Sequence, residues 1–300
     1  MAWPSLLRKD DIRINGRTFS SPVHKTYCLP RDDEEADRLS ALHSAIKFVH
    51  GDNLLGAAKA FLSESIDVAR VLDVGCGAGT WIMDTAADYE DHEFIGIDVA
   101  DMFPKSVMPP NVHFIKHDIL KGLPFPDRSM DIVHMRLMQL AFRTYEWPFI
   151  VSEIYRVLKP GGYVQIVEAE EKIAGNRASV AWFERFYAAA TAKRIDLHLT
   201  SRLPMLLENN QFDMVDARKD SILYATDCPL ESTFRWSTAK AMEVINLKWQ
   251  KELGFRSKIA AKVAMEAATY GLRYSDSYVD YYVYIAQKPS EVLVTPLVLL

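Results

Sequence analysis

The 300-residue chain is predicted to be a doubly wound α/β protein with a mostly parallel sheet, and three observations point there. A buried apolar strand breaks into the glycine-rich turn Asp73-Val74-Gly75-Cys76-Gly77-Ala78-Gly79 and then enters a helix. Two further apolar segments each end in a carboxylate, at Asp98 and Asp118. Strands then alternate with helical segments at a spacing that suits parallel strands joined by crossover helices.

Each element follows from its pattern. The acidic run Asp32-Asp33-Glu34-Glu35 suits a helix N-terminus, and Leu39, Leu42, Ile46 and Val49 recur behind it at helical spacing. A second short helix is read over 54–62. Both are expected to cover one face of the sheet, with Tyr27, in the preceding segment 18–30, closing over the ligand as a lid. Strands one to three are read at 71–74, 93–99 and 112–118. A turn-rich stretch, 123–129, precedes strand four at 130–135. Trp147-Pro148 opens an amphipathic helix that stops at Lys159-Pro160-Gly161-Gly162, and strand five follows at 163–168. Residues 211–218 read as strand six. On either side of it lie helical stretches rich in aromatic residues, including Trp182, Phe183, Phe186, Trp236 and Trp249. Singly, such residues are more often core than pocket; together they suggest a largely apolar cap.

Glycines let backbone approach a ligand closely, and this loop stands where a doubly wound sheet binds nucleoside ligands. A dinucleotide fingerprint would need glycine or alanine where Thr80 stands, which disfavours a nicotinamide oxidoreductase. Asp98, 25 residues after Asp73, is placed to accept hydrogen bonds from ribose hydroxyls. A lone aspartate is more often a helix cap or a solvated loop acid. Two in register with the glycine loop make that reading weaker.

The form Asp-x-Gly-x-Gly-x-Gly resembles motif I of the class I S-adenosylmethionine-dependent methyltransferases. So do the strand 130–135, the helix ending Val157-Leu158-Lys159-Pro160-Gly161-Gly162 and the strand after it. Within that superfamily the chain resembles the fungal methyltransferases that include the velvet-associated regulators of secondary metabolism and related tailoring enzymes. The lead-in from Tyr27 to Leu39 is similar to their Y-x-L-P-x-D-x-x-E-x-x-R-L, and His134-Met135-Arg136 to their H-x-R. Cys76 replaces a frequent threonine, and Gln287 stands where arginine is common.

The resemblance implies a seven-stranded Rossmann-like sheet, N-terminal helices and a helical cap inserted around strands five to seven. The implied divisions are 1–66, a cofactor core at 67–172, an acceptor cap at 173–289 and an apolar tail at 290–300. It implies S-adenosylmethionine as cofactor, bound by Asp73, Gly75, Cys76, Gly77, Gly79, Asp98, Val99, Asp118, Ile119, His134 and Met135. Asp118 with Ile119 would meet the adenine. His134 and Tyr27 are the catalytic candidates, since a near-neutral imidazole beside the methyl could take a proton. A purely positioning role for His134 is slightly favoured over that. Arg136 would pair with an acceptor carboxylate or a helix end, and Glu168 is a weaker acceptor contact.

Composition agrees. A hydrophobic content of 49% suffices for a large core, and a net charge of −5 disfavours nucleic acid as a partner. Cys28, Cys76 and Cys228 give neither metal spacing nor a disulfide framework. No signal peptide is read at the N-terminus, and the tail 292–300 is too short to span a bilayer. The expected partner is a small-molecule methyl acceptor, with a homo-oligomer or protein partner left open. The compartment is cytoplasmic, or nuclear if the chain is a regulator. Methyl transfer to O, N or S of a small apolar metabolite leads, and a regulatory methyltransferase acting through protein partners is the alternative.

Overall fold

The computed structural model describes residues 11–19, 27–105 and 107–290. Most of the expected lid, 20–26, and the apolar tail from 291 lie outside them.

A hairpin of β1 (Ile12–Ile14) and β2 (Arg17–Phe19) comes first. It turns at Asn15-Gly16, both with positive φ, which suits a tight hairpin turn. Helix α1 (Asp33–His50) is capped by Asp32, whose side chain accepts the Glu35 N–H, and ends at Gly51 in the left-handed region. Helix α2 (Gly56–Glu64) follows. Then come β3 (Arg70–Val74), α3 (Thr80–Asp88), β4 (Glu93–Asp98) and β5 (Val112–Lys116). After β6 (Met130–Arg136), helix α4 (Trp147–Val157) leads into β7 (Leu158–Lys172). The chain continues through α5 (Arg177–Ala192), α6 (Leu203–Asn209) and β8 (Asp213–Leu223). It closes with α7 (Pro229–Lys248), α8 (Lys258–Leu272) and β9 (Tyr278–Gln287).

The large sheet has seven strands in the order β5-β4-β3-β6-β7-β9-β8. Its first five are parallel, and β9 runs antiparallel between β7 and β8. Alternation along each strand divides the core into two. On one face Val71, Phe94, Ile132 and Val167 pack with residues of α1, α2, α3, α5, α7 and α8. On the other, Leu72, Ile95, Val133 and Ile166 pack with α4 and α6. Within β6, this sends His134 and Arg136 to the first face and Met135 to the second.

Strand five is longer than its apolar run. The expected end at 168 is overrun by Ala169 to Lys172 because the antiparallel β9 continues the ladder there, pairing Glu171 with Val279. Among the described residues no helix is long and apolar enough to cross a membrane.

Candidate functional site

The carboxyl ends of β3, β4 and β6 open into a cavity of about 290 Å³ under α1, α5 and α7. Its floor is the glycine loop. Gly75, Gly77 and Gly79 all have positive φ, a conformation costly for any residue with a Cβ. A Cβ on Gly75 would run into the Met138 side chain, and one on Gly79 would lie 2.6 Å from the Phe114 ring. Among the described residues only Leu39 approaches above Gly77, at 3.7 Å, which leaves the middle of the loop open on that side.

Asp98 completes that floor. Its Oδ2 accepts the Gly77 N–H at 2.9 Å and its Oδ1 the Ala100 N–H at 2.6 Å. Burial raises its pKa to about 6, against the pull of these two donors. Asp118 lines the same cavity while capping the short 3-10 turn Ile119–Lys121, its side chain accepting the Leu120 N–H. Val99, Ile119, Cys76 and Asp73 also line it.

Two expected ligand contacts do not reach it. Met135 is fully buried among the α4-side core residues, on the opposite face of β6. Gly79 is absent from the lining and serves as the left-handed N-cap of α3.

His134 stands directly across the ladder from Asp73 on one side and Gln165 on the other. Its Nδ1–H donates to Asp73 Oδ1 at 2.8 Å, and its ring stacks on Trp81 at 3.6 Å and 5°. Trp81 Nε1 donates in turn to the Asn53 carbonyl, which also accepts from Gln165. The imidazole lines the cavity wall but is only 1% exposed, and its Nε2 has no hydrogen-bond partner among the described residues. Burial lowers its pKa despite Asp73, so the ring is neutral at physiological pH. The neutral imidazole is thus clamped between a carboxylate and an indole.

Arg136, next on that face, does reach the cavity. Its Nη2 donates to His43 Nδ1 at 3.2 Å, which leaves the His43 proton on Nε2, facing Asp84 at 3.1 Å. Tyr27 lines the cavity as expected, within the electrostatic reach of Glu35 and Asp98, and burial raises its phenol. Its backbone carbonyl accepts from Lys248 Nζ, tying the segment to α7.

The α1 stripe does more than cover the sheet, since Leu39, Leu42 and Ile46 line the cavity. Arg38 beside them chelates Glu35 with two hydrogen bonds, at 2.9 and 2.6 Å, and donates to Ser237 Oγ, latching α1 to α7. Of the five cap aromatics, Trp182, Phe183 and Phe186 line the cavity. Trp249 is buried against Phe186, and Trp236 is 42% exposed. Glu168 faces away, its carboxylate capping the Met138 and Gln139 N–H groups.

Among the lining residues that the motifs do not signal are Trp81, Glu171 and Thr238. Trp81 opens α3 immediately after the loop, where its size offered the only hint. Glu171 lies in the run Glu168-Ala169-Glu170-Glu171, which by itself reads as a solvated end of a strand.

Residues 71–162 match a family model described as a methyltransferase domain. That segment is a methyltransferase domain. It is 33% identical over 154 residues to the secondary metabolism regulator laeA of Coprinopsis cinerea, covering 51% of this chain and 38% of that one. The N-methyltransferase verN of Clonostachys rogersoniana is 32% identical over 165 residues, 53% of this chain and 55% of that one. The laeA of Gibberella zeae aligns over 94% of this chain and 93% of its own length at 27% identity. Against the first three relatives the chain spans about half of their length or less.

Proposed function

We propose that this domain transfers a methyl group to an oxygen, nitrogen or sulfur atom of a small, fairly apolar metabolite. One observation carries the reading: one cavity is lined both by the glycine loop, Asp98 and Asp118 and by the apolar side chains of Leu42, Phe183 and Met242. The open backbone over Gly77 and the half-buried Asp98 beside it fit a nucleoside cofactor. In this reading Asp98 accepts from the ribose hydroxyls, Asp118 and Ile119 meet the adenine, and residues 75–78 line the amino-acid portion. Residues 67–172 serve the cofactor and 173–289 the acceptor.

S-adenosylmethionine supplies a methyl that is already activated. The chain therefore has to align the acceptor and keep water out. Asp73, His134 and Trp81 fix the floor of the reaction site; Tyr27, α1 and the cap helices roof it. His134 acts by position, since its free Nε2 is sealed.

A second reading, control of secondary metabolism through protein partners, is supported by the laeA relatives. It would place the chain in the nucleus as well as the cytoplasm. Incubating the pure chain with methyl-labelled cofactor and a metabolite extract separates the two. Label in the solvent-extractable small molecules is expected; label on protein alone, or none, would favour the regulator.

A further inference from the structure

Beyond the reaction end, the cavity holds one polar group that neither the fold nor the cofactor accounts for. Glu171 pairs with Val279 four residues past Val167, the ladder partner of Arg136. At roughly 3.3 Å per residue that is about 13 Å farther along the strand than the end of β6. It therefore belongs to the far wall of the acceptor chamber, where it lines the cavity.

Its neighbours on β7 are all accounted for. Glu168 caps two backbone N–H groups, and Glu170 accepts from Lys172, His198 and Thr200. Glu171 instead meets two hydroxyls: Tyr224 donates to Oε2 at 2.5 Å and Thr238 to Oε1 at 3.2 Å. Among the described residues no basic side chain forms an ion pair with it. A carboxylate offers about four lone-pair sites, so two remain for a ligand. Glu171 is half-buried, facing the cavity rather than bulk water; a carboxylate so placed without a counter-charge is costly, and the group that would relieve it is a cation. The cavity suits one, because Trp182, Phe183 and Tyr281 also line it.

We propose that Glu171, braced by Tyr224 and Thr238, is a distal subsite that takes the protonated amine of an otherwise apolar acceptor. This rests on the methyltransferase reading and narrows its substrate class. Burial also raises the Glu171 pKa to about 7, so the vacant carboxyl is readily ionised when a cation arrives.

The test uses the full chain saturated with S-adenosylhomocysteine, titrated with tryptamine and with tryptophol, which differ only in ammonium against hydroxyl. Tryptamine should bind at least about tenfold more tightly, the scale of one charge-assisted hydrogen bond. In Glu171→Gln that preference should vanish while affinity for S-adenosylhomocysteine stays the same. Equal affinities in the wild type, binding of neither probe, or a preference surviving in Glu171→Gln would overturn the subsite. The wild-type comparison stands even if the variant does not fold. Failure to bind S-adenosylhomocysteine would count against the methyltransferase reading; binding it without discriminating the amines would count against the subsite alone.

Discussion

Replacing His134 by alanine should weaken the fold and the cofactor site together. The variant loses a hydrogen bond to the Asp73 carboxylate at 2.8 Å and a ring stacked at 3.6 Å on Trp81. A hydrogen bond to a charged group is worth about 1.5–3 kcal/mol and an aromatic stack about 0.5–1.5, so roughly 2–4.5 kcal/mol is at stake. That is a large share of the ~5–15 kcal/mol that holds a typical domain together. It also leaves Asp73 without its partner directly under the glycine loop. Urea denaturation, titration of S-adenosylhomocysteine and single-turnover methyl transfer should therefore all worsen, with turnover falling in step with cofactor affinity. The reasoning would be refuted if stability and affinity were intact while turnover dropped by the ~10²–10⁴-fold typical of a lost general base. Such a result would mean that Nε2 reaches the acceptor.

Two further outcomes follow from the same geometry. Gly79→Ala puts a Cβ on a residue at φ 76° and 2.6 Å from the Phe114 ring. Its melting temperature should drop by several degrees, from a left-handed penalty of about 1–2 kcal/mol plus the displaced ring, and an unchanged value would dispute the loop conformation. The second concerns pH. Burial raises Glu168 to about 8 and Glu171 to about 7, so the native state keeps protons that the unfolded chain has already lost, and stability falls as pH rises. His43 and His50, lowered to about 4 by burial, act in the opposite sense, but only below their ordinary value of 6.5. From pH 6.5 to about 8.5 the carboxyls prevail, and scanning fluorimetry should show a declining melting temperature. A flat or rising profile would contradict these environments.

The parallel half of the sheet was legible because glycines, strand-end aspartates and helix stops are local signals. Asp98 and Asp118 declare themselves by position alone. The hairpin at Asn15-Gly16 carried an equally local signal, the Asn-Gly turn between short strands, which the expected lid obscured. What stayed hidden depends on contacts between distant segments. Which face of β6 meets the cavity separates His134 and Arg136 from Met135, and pattern alone did not assign it. Glu171 looked like a solvated charge because β9, more than 100 residues on, is what carries β7 past Glu168. The latch from Arg38 to Ser237 joins residues 199 apart, so a motif spacing could place Arg38 near Glu35 but not beneath α7.

Calorimetric titration of the purified chain and of Asp98→Ala with S-adenosylmethionine tests the cofactor assignment on which everything else depends. The wild type should bind one equivalent. The variant should bind about 10–150-fold more weakly, the loss of about 1.5–3 kcal/mol expected for hydrogen bonds to a charged group; its melting temperature should fall as well, because the Gly77 and Ala100 N–H groups lose their acceptor, so both titrations are run well below it. Equal affinity in the two proteins, or no binding by the wild type, would contradict the account.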